Sequence, residues 1–331
     1  MPDNDFTVIL DKRDEVKLPG VTIPSFSLMG KPIYREGSTG LAEALQEVKD
    51  QGLILAPTYS LVAGRAFVGK KDEAWSQYHD SNAERDTVLD EEGILGEKGV
   101  VYALDIQNGG LFVWNPQRIK EAVEGCKLVN YALQLEQDEV NVVLDAMKKG
   151  DTVALKQIVH GGNVAFAGNY DGFLEASASP DFIQGMDTTY VIIRPASEAG
   201  QVYSGKKAIS EQRDNPDIII ASGGKAQANR MLDQAEGFGW NQFGAWNDGY
   251  KHNNTGRSVV LNLVSNGIYG NRDLYIYGLP VGVAPEALDA FYKQKNVDPL
   301  TVIVNQAIRT ARPVQHGDGV VLYLSGVQAK E

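Results

Sequence analysis

Short apolar runs of β-prone residues recur along most of this sequence, and they outnumber the segments with helical periodicity. The runs 100–104 and 190–193 are examples, and turns containing glycine, asparagine or proline separate many such runs. Helical patterns, of which 136–149 is the clearest, do not alternate strictly with these runs. Strict alternation would indicate a doubly wound parallel sheet. The sequence therefore predicts an α+β fold with mixed sheets and several amphipathic helices.

The first 98 residues predict an extended N-terminal arm, a short helix and a protruding polar flap. Proline and glycine between 19 and 32 exclude a helix from the arm. Residues 70–98 carry many acidic side chains and only weak apolar periodicity, which is typical of a solvated loop. We therefore expect three parts: this first one, an α+β core in 99–235 plus 300–331, and a loop-rich second subdomain in 236–299.

Composition argues against several kinds of partner. The 331 residues include 31 Lys and Arg against 43 Asp and Glu, a formal net charge of −12 at pH 7. Such a surface repels phosphate backbones, so no specific nucleic-acid binding is expected. An amino-terminal secretory pattern and a long apolar run are both missing, so we expect no membrane partner and, for a cellular protein, a cytoplasmic location. The single cysteine, Cys126, cannot form an internal disulfide and fits a reducing compartment.

The sequence carries no motif typical of catalysis or metal binding. The four histidines (His79, His160, His252 and His316) lie far apart, without the spacing of paired metal ligands. No Gly-x-Ser-x-Gly elbow is present, and Cys126 lacks the local signature of a catalytic thiol. We therefore predict no catalytic residue, no metal and no cofactor, which favours a protein that is not an enzyme.

One glycine turn offers an alternative function. The apolar run 217–221 leads through Ser222, Gly223 and Gly224 to Lys225, where a helix is predicted to begin. A strand that ends in glycines before a helix can present backbone N–H groups to a phosphate. The spacing matches neither the P-loop nor the dinucleotide fingerprint. An α/β enzyme or nucleotide-binding protein that uses this turn is the corresponding alternative.

Four aromatic residues in a glycine- and amide-rich stretch offer a second alternative. Trp240, Phe243, Trp246 and Tyr250 fall within eleven residues, which predicts an ordered loop. Rings at this density stack on a sugar or a base, or anchor a protein interface. The stretch has few basic residues, which makes base stacking the weakest of these choices. The alternative is a carbohydrate- or protein-binding module whose interface is these four residues.

Residues from 136 onward resemble a known family in the order of their segments. The helix 136–149 leads to the small-residue stretch GGNVAFAGNYDGFL at 161–174, and a strand and a helix follow in 216–232. The unit LYIYGLPV at 274–281 precedes a final strand within 309–324. This order is similar to that of the tailed-phage major capsid protein family, and the resemblance covers only the second half of the chain.

The resemblance implies a structural, self-assembling protein, a subunit of a viral capsid shell. Its partners would be further copies of itself, in a homo-oligomer, together with other virion proteins. It would be located in the virion after assembly in the host cytoplasm, and it would need no cofactor. The capsid subunit is therefore the leading prediction of function, with the glycine turn and the aromatic loop as alternatives.

Overall fold

The computed structural model describes residues 7–11, 16–18, 21–23, 31–67, 70, 75, 77–179, 182, 187–199, 205–246, 253–262, 267–270, 273–274, 278–283, 312–316 and 319–325. Helices pack there on mixed sheets, so the predicted α+β class is confirmed. The helices are α1 (Gly40–Asp50), α2 (Thr58–Phe67), α3 (Pro116–Glu124), α4 (Gln137–Lys149), α5 (Thr152–Val159), α6 (Tyr170–Ala178), α7 (Ala196–Ala199), α8 (Ile209–Gln212), α9 (Pro216–Ala221) and α10 (Lys225–Gly237). The strands are β1 (Thr7–Asp11), β2 (Val16–Leu18), β3 (Val21–Ile23), β4 (Lys31–Pro32), β5 (Ile54–Leu55), β6 (His79–Asp90), β7 (Val100–Gln107), β8 (Leu133–Gln134), β9 (Asn163–Asn169), β10 (Thr188–Pro195), β11 (Gly205–Ala208), β12 (Gln242–Trp246), β13 (Thr255–Asn262), β14 (Gly267–Tyr269), β15 (Val281–Val283), β16 (Arg312–His316) and β17 (Gly319–Ser325).

Most of the described strands belong to one large sheet. Its order is β11-β12-β14-β13-β6-β7-β10-β9, and β8 also pairs with β13. The pairs β9–β10 and β12–β14 are parallel, whereas the other pairs are antiparallel. This sheet takes strands from each of the three parts expected from the sequence, and the division into those parts stays a prediction.

Each face of the large sheet is covered by helices over β6, β7 and β10. Alternate residues of a strand point to opposite faces, so each strand contributes to two cores. The first core includes Ala83 and Tyr190 from the strands, with α2, α6, α9 and α10 packed on it. The second core includes Val88 and Leu104, with α1, α3, α4 and α5 packed on it. The sheet is therefore the middle layer of the described fold.

Local signals explain the helices that the sequence predicts most clearly. Asn115 precedes α3, and its side-chain oxygen accepts the backbone N–H of Arg118 at 3.2 Å, with Pro116 at the first helical position. Helix α4 carries acidic residues in its first turn and basic residues in its last, and it ends at Gly150, whose φ is 63°. The amphipathic helix predicted over 136–149 is confirmed.

The polar flap predicted over 70–98 is wrong for its central part. Residues 79–90 form β6, which lies between β13 and β7 in the large sheet and is mostly buried. The charged side chains of Glu84, Arg85 and Asp90 find partners inside the protein, which sequence polarity alone does not reveal. The turn after Asp90 is largely exposed, and the Asp90 carboxylate accepts the N–H groups of Ile94 and Leu95 at 2.7 and 2.8 Å.

The predicted arm consists of short strands where the structure describes it. Strand β1 pairs in parallel with β17, β2 pairs with β3, and β4 pairs with β15. Within the described ranges, no helix has the length and apolar character needed to cross a membrane.

Candidate functional site

Strands β12 and β14 lie side by side near one edge of the large sheet. Along β12 the side chains of Phe243 and Ala245 point into the first core and are fully buried. By the period of two, Gly244 and Trp246 lie on the opposite face. The two faces of β12 therefore have different surroundings, and Trp246 is partly exposed on the second face.

Trp246 and Tyr269 form a stacked pair on this opposite face. They are register partners in the parallel pairing of β12 and β14, and their ring centroids lie 4.4 Å apart at an interplanar angle of 16°. Both side chains are partly exposed, and neither belongs to a core cluster. The carbonyl of Trp246 also accepts the N–H of Gly270 at 2.8 Å. We call this pair the aromatic platform.

Two glycines make room for the platform. A Cβ atom at Gly244 would overlap the six-membered ring of Trp246, and so would a Cβ atom at its register partner Gly267. Any larger residue at either position would displace the indole. The ring therefore lies directly over glycine backbone.

Polar side chains border the platform. Lys206 of β11 is the register partner of Gly244, and directly opposed residues project from the same face of a sheet. Lys206 and Gln242 are both exposed. An amino group and an amide therefore stand beside the rings, which is the combination of flat apolar surface and few polar groups that ligand sites use.

Glu84, on β6, has a different environment from the platform. Its carboxylate accepts the backbone N–H groups of Leu111 at 2.6 Å and Phe112 at 2.8 Å, and it also accepts that of Val113. Burial raises the pKa of Glu84 to about 8, although these N–H groups and Arg118 lower it. Glu84 therefore fixes the turn that follows β7 and is not open to a ligand.

Asp86 lies two residues further along β6, on the same face. It is fully buried, and neither carboxylate oxygen has a hydrogen-bond partner in the described part of the chain. Burial raises the pKa of Asp86 well above its ordinary value, and the nearby charges of Glu84 and Glu139 raise it further. The raised pKa favours the protonated form of Asp86 in the folded protein.

The first-core face of the same strands holds a buried network of four charges. Arg85 donates to Asp105 at 2.6 Å and lies 3.2 Å from Asp217, while Arg194 lies 3.1 Å from Asp105 and also pairs with Asp217. Each of these side chains is at most 4% exposed, and two cations balance two anions. The network joins β6, β7 and β10 to α9. It supports the framework of the fold and is closed to solvent.

The structure separates the four aromatic residues that the sequence grouped. Trp240 packs edge-on against Trp75, with centroids 5.1 Å apart at 78°, and borders the first core. Phe243 is fully buried in that core, so its side chain is not at a surface. Trp246 alone stands on the platform, whereas Tyr250 lies outside the described residues.

Sequence reasoning missed most of the platform. It did not find Tyr269, Lys206 or the role of the glycines, because their proximity depends on strand pairing between distant segments. One local signal was available. Alternate residues of a strand point to opposite faces, so a period of two over Gln242–Trp246 places Phe243 and Ala245 on one face. It places Gly244 and Trp246 on the other.

The glycine turn does not follow a strand. Residues 217–221, predicted as a strand, belong to α9 (Pro216–Ala221). Asn215 caps this helix by accepting the N–H of Asp217 at 3.0 Å, and Pro216 occupies its first position. These start signals outweigh the β propensity of the isoleucine run, so the strand prediction is wrong.

The amides of this turn are already engaged. The N–H groups of Ser222, Gly223 and Gly224 donate to the carbonyl oxygens of Ile218, Ile220 and Ile219, each at 2.9 Å. The Lys225 amino group bonds to Asp214 at 2.6 Å, and both side chains are exposed. The phosphate-binding alternative for these four residues therefore lacks the free N–H groups of the turn on which it depended.

The described residues contain no group of three or more His, Cys, Asp or Glu side chains placed to hold a metal ion. Cys126 is a free, exposed cysteine. His160 is exposed and stacks on Trp114, whereas His79 is buried in β6. None of these observations adds a reactive centre to the platform.

Comparison with known proteins bears on the fold. No family model matches the chain, and no curated protein matches it. A solved structure is similar: a protein from Nanoarchaeota described as accommodating massive sequence variation by the C-type lectin fold. The two align with a TM-score of 0.53 and 20% identity, over 77% of this chain and 98% of that chain. The fold of this chain is thus similar to the C-type lectin fold.

The capsid-subunit function predicted from the order of segments is wrong, because the fold similarity is to a lectin fold. The expectations of a virion component and of self-assembly into a shell fall with it. The resemblance in segment order and the formation of a homo-oligomer stay predictions.

Proposed function

We propose that this protein is a carbohydrate-binding module and that the aromatic platform, Trp246 and Tyr269, is its binding surface. The observation that carries the proposal is the partly exposed Trp246 ring, stacked on Tyr269 over two glycines. Large rigid rings provide contact area at a low cost in conformational entropy. The apolar C–H face of a sugar ring is the ligand that such a surface fits best.

Polar groups beside the rings complete the chemistry. A sugar presents hydroxyl groups around its apolar face, and each hydroxyl both donates and accepts hydrogen bonds. The amide of Gln242 can donate and accept, and the ammonium group of Lys206 can donate. We expect these groups to orient the sugar, while the rings provide most of the binding energy.

The comparison supports a binding role through the fold. The Nanoarchaeota protein is described as accommodating massive sequence variation by the C-type lectin fold. In this chain the buried charge network and the platform occupy different parts of the large sheet. A surface separated in this way from the framework can change its side chains without unfolding the protein.

A glycan array with the labelled wild-type protein tests the proposal, followed by isothermal titration of the bound glycans. We expect binding to a subset of glycans, and we expect Trp246→Ala to lower affinity by about tenfold or more while the fold is retained. Trp240→Phe is the matched control, because Trp240 packs on Trp75 at the first core. Absence of binding to every glycan, or equal binding by Trp246→Ala, would overturn the proposal.

The expectation that this protein binds no specific nucleic acid remains a prediction. Its net charge of −12 disfavours nucleic acid as a ligand. Titration with single-stranded DNA in place of a glycan is therefore a useful negative control. We expect no heat of binding at 0.15 M salt. The Debye length at this concentration is about 8 Å, so a DNA strand in contact with the acidic surface is still repelled.

A further inference from the structure

The turn Val129–Ala132 places an aromatic residue in an unfavourable backbone conformation. Val129 and Ala132 exchange two backbone hydrogen bonds of 2.9 and 3.0 Å, so Asn130 and Tyr131 are the central residues of a two-residue turn. Both central residues are left-handed, with φ of 49° and 61°. Such a turn favours Asn-Gly, so Asn130 fits it. Tyr131 does not, because a bulky residue at positive φ is strained.

Surrounding contacts hold this strained turn in place. The backbone N–H of Leu274 donates to the carbonyl of Tyr131 at 3.0 Å. The guanidinium group of Arg257 donates to the carbonyl of Asn130 and pairs with Asp273 at 3.0 Å. A strained residue persists when its surroundings fix it in this way, and such strain is a reason to look for function.

Packing of the Tyr131 side chain does not compensate for the backbone strain of the turn. It is 55% exposed, the most exposed aromatic side chain among the described large hydrophobic residues. Glycine at this position would adopt the same φ without a Cβ penalty. The stability of the turn therefore does not account for tyrosine, and an external contact does.

Tyr131 lies near the aromatic platform. Strands β8 and β14 pair with β13, where Leu133 is the partner of Gly256 and Tyr269 is the partner of Val260. These two levels are separated by four residues of strand, or about 13 Å. Tyr131 lies two residues before Leu133, and β8 runs antiparallel to β13. The chain at Tyr131 is therefore nearer than Leu133 to the position of Tyr269 along β13. Its bond to Leu274, which follows β14, places the turn beside the end of that strand.

The geometry points to Tyr131 as a second stacking residue, which binds another sugar of the same chain that contacts the platform. This inference rests on the proposed function and deepens it: the ligand is an oligosaccharide, and a monosaccharide would contact the platform alone. The fold keeps an exposed ring in a strained turn because the ring meets the ligand. Binding energy for the second sugar then comes from Tyr131 and does not involve Trp246.

The test compares tetrasaccharides of glucose, mannose and N-acetylglucosamine with their monosaccharides, by titration calorimetry and saturation-transfer NMR. We expect Tyr131→Gly to keep or raise the thermal unfolding midpoint, because removing left-handed strain outweighs the added freedom of glycine. The same variant should lose affinity for the bound tetrasaccharide by about tenfold, with unchanged monosaccharide binding. Tyr34→Ala is the control: Tyr34 is 46% exposed and lies on another part of the chain.

The outcomes separate this inference from the function on which it rests. If Trp246→Ala loses binding and Tyr131→Gly binds the tetrasaccharide as the wild type does, the second contact is wrong and the platform stands. If Tyr131→Gly lowers monosaccharide binding equally, the residue supports the platform and does not form a second contact. If the wild type binds no saccharide, the proposed function and this inference both fail.

Discussion

Two regions of the large sheet differ in how their faces are covered. Around β6, β7 and β10 both faces are buried, and charged side chains pair with one another inside the protein. At β12 and β14 one face is packed, whereas the other carries glycines and partly exposed rings. The region of β6, β7 and β10 fixes the positions of strands and helices, whereas the region of β12 and β14 carries side chains that reach the surface. The contrast shows how one sheet can separate the requirements of folding from those of binding.

The buried charges are better understood as determinants of geometry than as a source of stability. Removing two charges from water costs several kcal/mol each, and their attraction repays this only with good geometry. In this protein each aspartate of the network meets both arginines, so strand order and the position of α9 are fixed together. At the platform, the described contacts are the stack of the two rings and the close approach of the Trp246 ring to glycine backbone.

The largest predicted effect is on the buried network. Asp105→Ala would remove one of the two carboxylates that Arg85 and Arg194 share in the described network, in a buried environment. We expect the free energy of unfolding in urea to fall by about 3–5 kcal/mol. Asp233→Ala is the control, since Asp233 is 63% exposed and its pair with Arg213 contributes about 1 kcal/mol or less. Equal, small losses in both variants would mean that the network does not hold the framework.

The network also shows which parts of the fold the sequence reveals. Helix α4 and the cap of α3 are predictable because Asn115, Pro116 and Gly150 act on their own chain neighbours. The polarity of β6 predicts a solvated flap, because the residues that pair with its buried charges lie far away in sequence. Arg85, for example, finds Asp105 and Asp217 only after β7 and α9 have packed.

The candidate site follows the same rule. Trp246 was identified from local aromatic density, but Tyr269 and Lys206 meet it through strand pairing. Aromatic density also selected Phe243, which the alternation of β12 sends into the core. Sequence composition therefore locates candidate rings, whereas register decides which rings reach the surface.

The second prediction concerns Asp86 and pH. Since its pKa is raised in the folded state, the folded protein keeps a proton that the unfolded chain loses above about pH 4. Stability must then fall as pH rises, and Glu84, whose pKa is about 8, adds to the fall. Between pH 5.5 and 7.5 we therefore expect Asp86→Asn to make this fall in stability with pH shallower.

Urea unfolding at five pH values within that range measures the slope. Asp145→Asn serves as the control, because the exposed pair of Asp145 with Lys149 should leave the slope unchanged. Parallel slopes for the wild type and Asp86→Asn would show that Asp86 is ionised in the folded protein. That result would extend the charge network to the second core and weaken the contrast between the two regions of the sheet.

The third prediction tests the glycine floor of the platform. Gly244→Val would place side-chain atoms where the Trp246 ring lies, so the ring must leave its stack on Tyr269. We expect a loss of about 1–3 kcal/mol in stability and a loss of glycan affinity of about tenfold. The control is Gly237→Ala at the end of α10, where an added Cβ meets no atom within 4 Å. Unchanged binding by Gly244→Val would separate the ligand from Trp246.

The smallest predicted effect concerns the polar border of the platform. Lys206 is exposed on the edge strand β11 and projects from the same face as Gly244, so it can reach a sugar hydroxyl beside the rings. An exposed hydrogen bond from a charged group contributes about 1 kcal/mol, so Lys206→Ala should weaken glycan binding by about fivefold and leave stability unchanged. Lys225→Ala is the control, since Lys225 pairs with Asp214 beside α10. A loss as large as that of Trp246→Ala would mean that charge, and not stacking, holds the ligand, and an anionic sugar would then be the class to test. Equal binding by both lysine variants would restrict the site to the rings. The two regions of the sheet would then differ in one respect: β6, β7 and β10 carry paired charges, whereas β12 and β14 carry stacked aromatic rings.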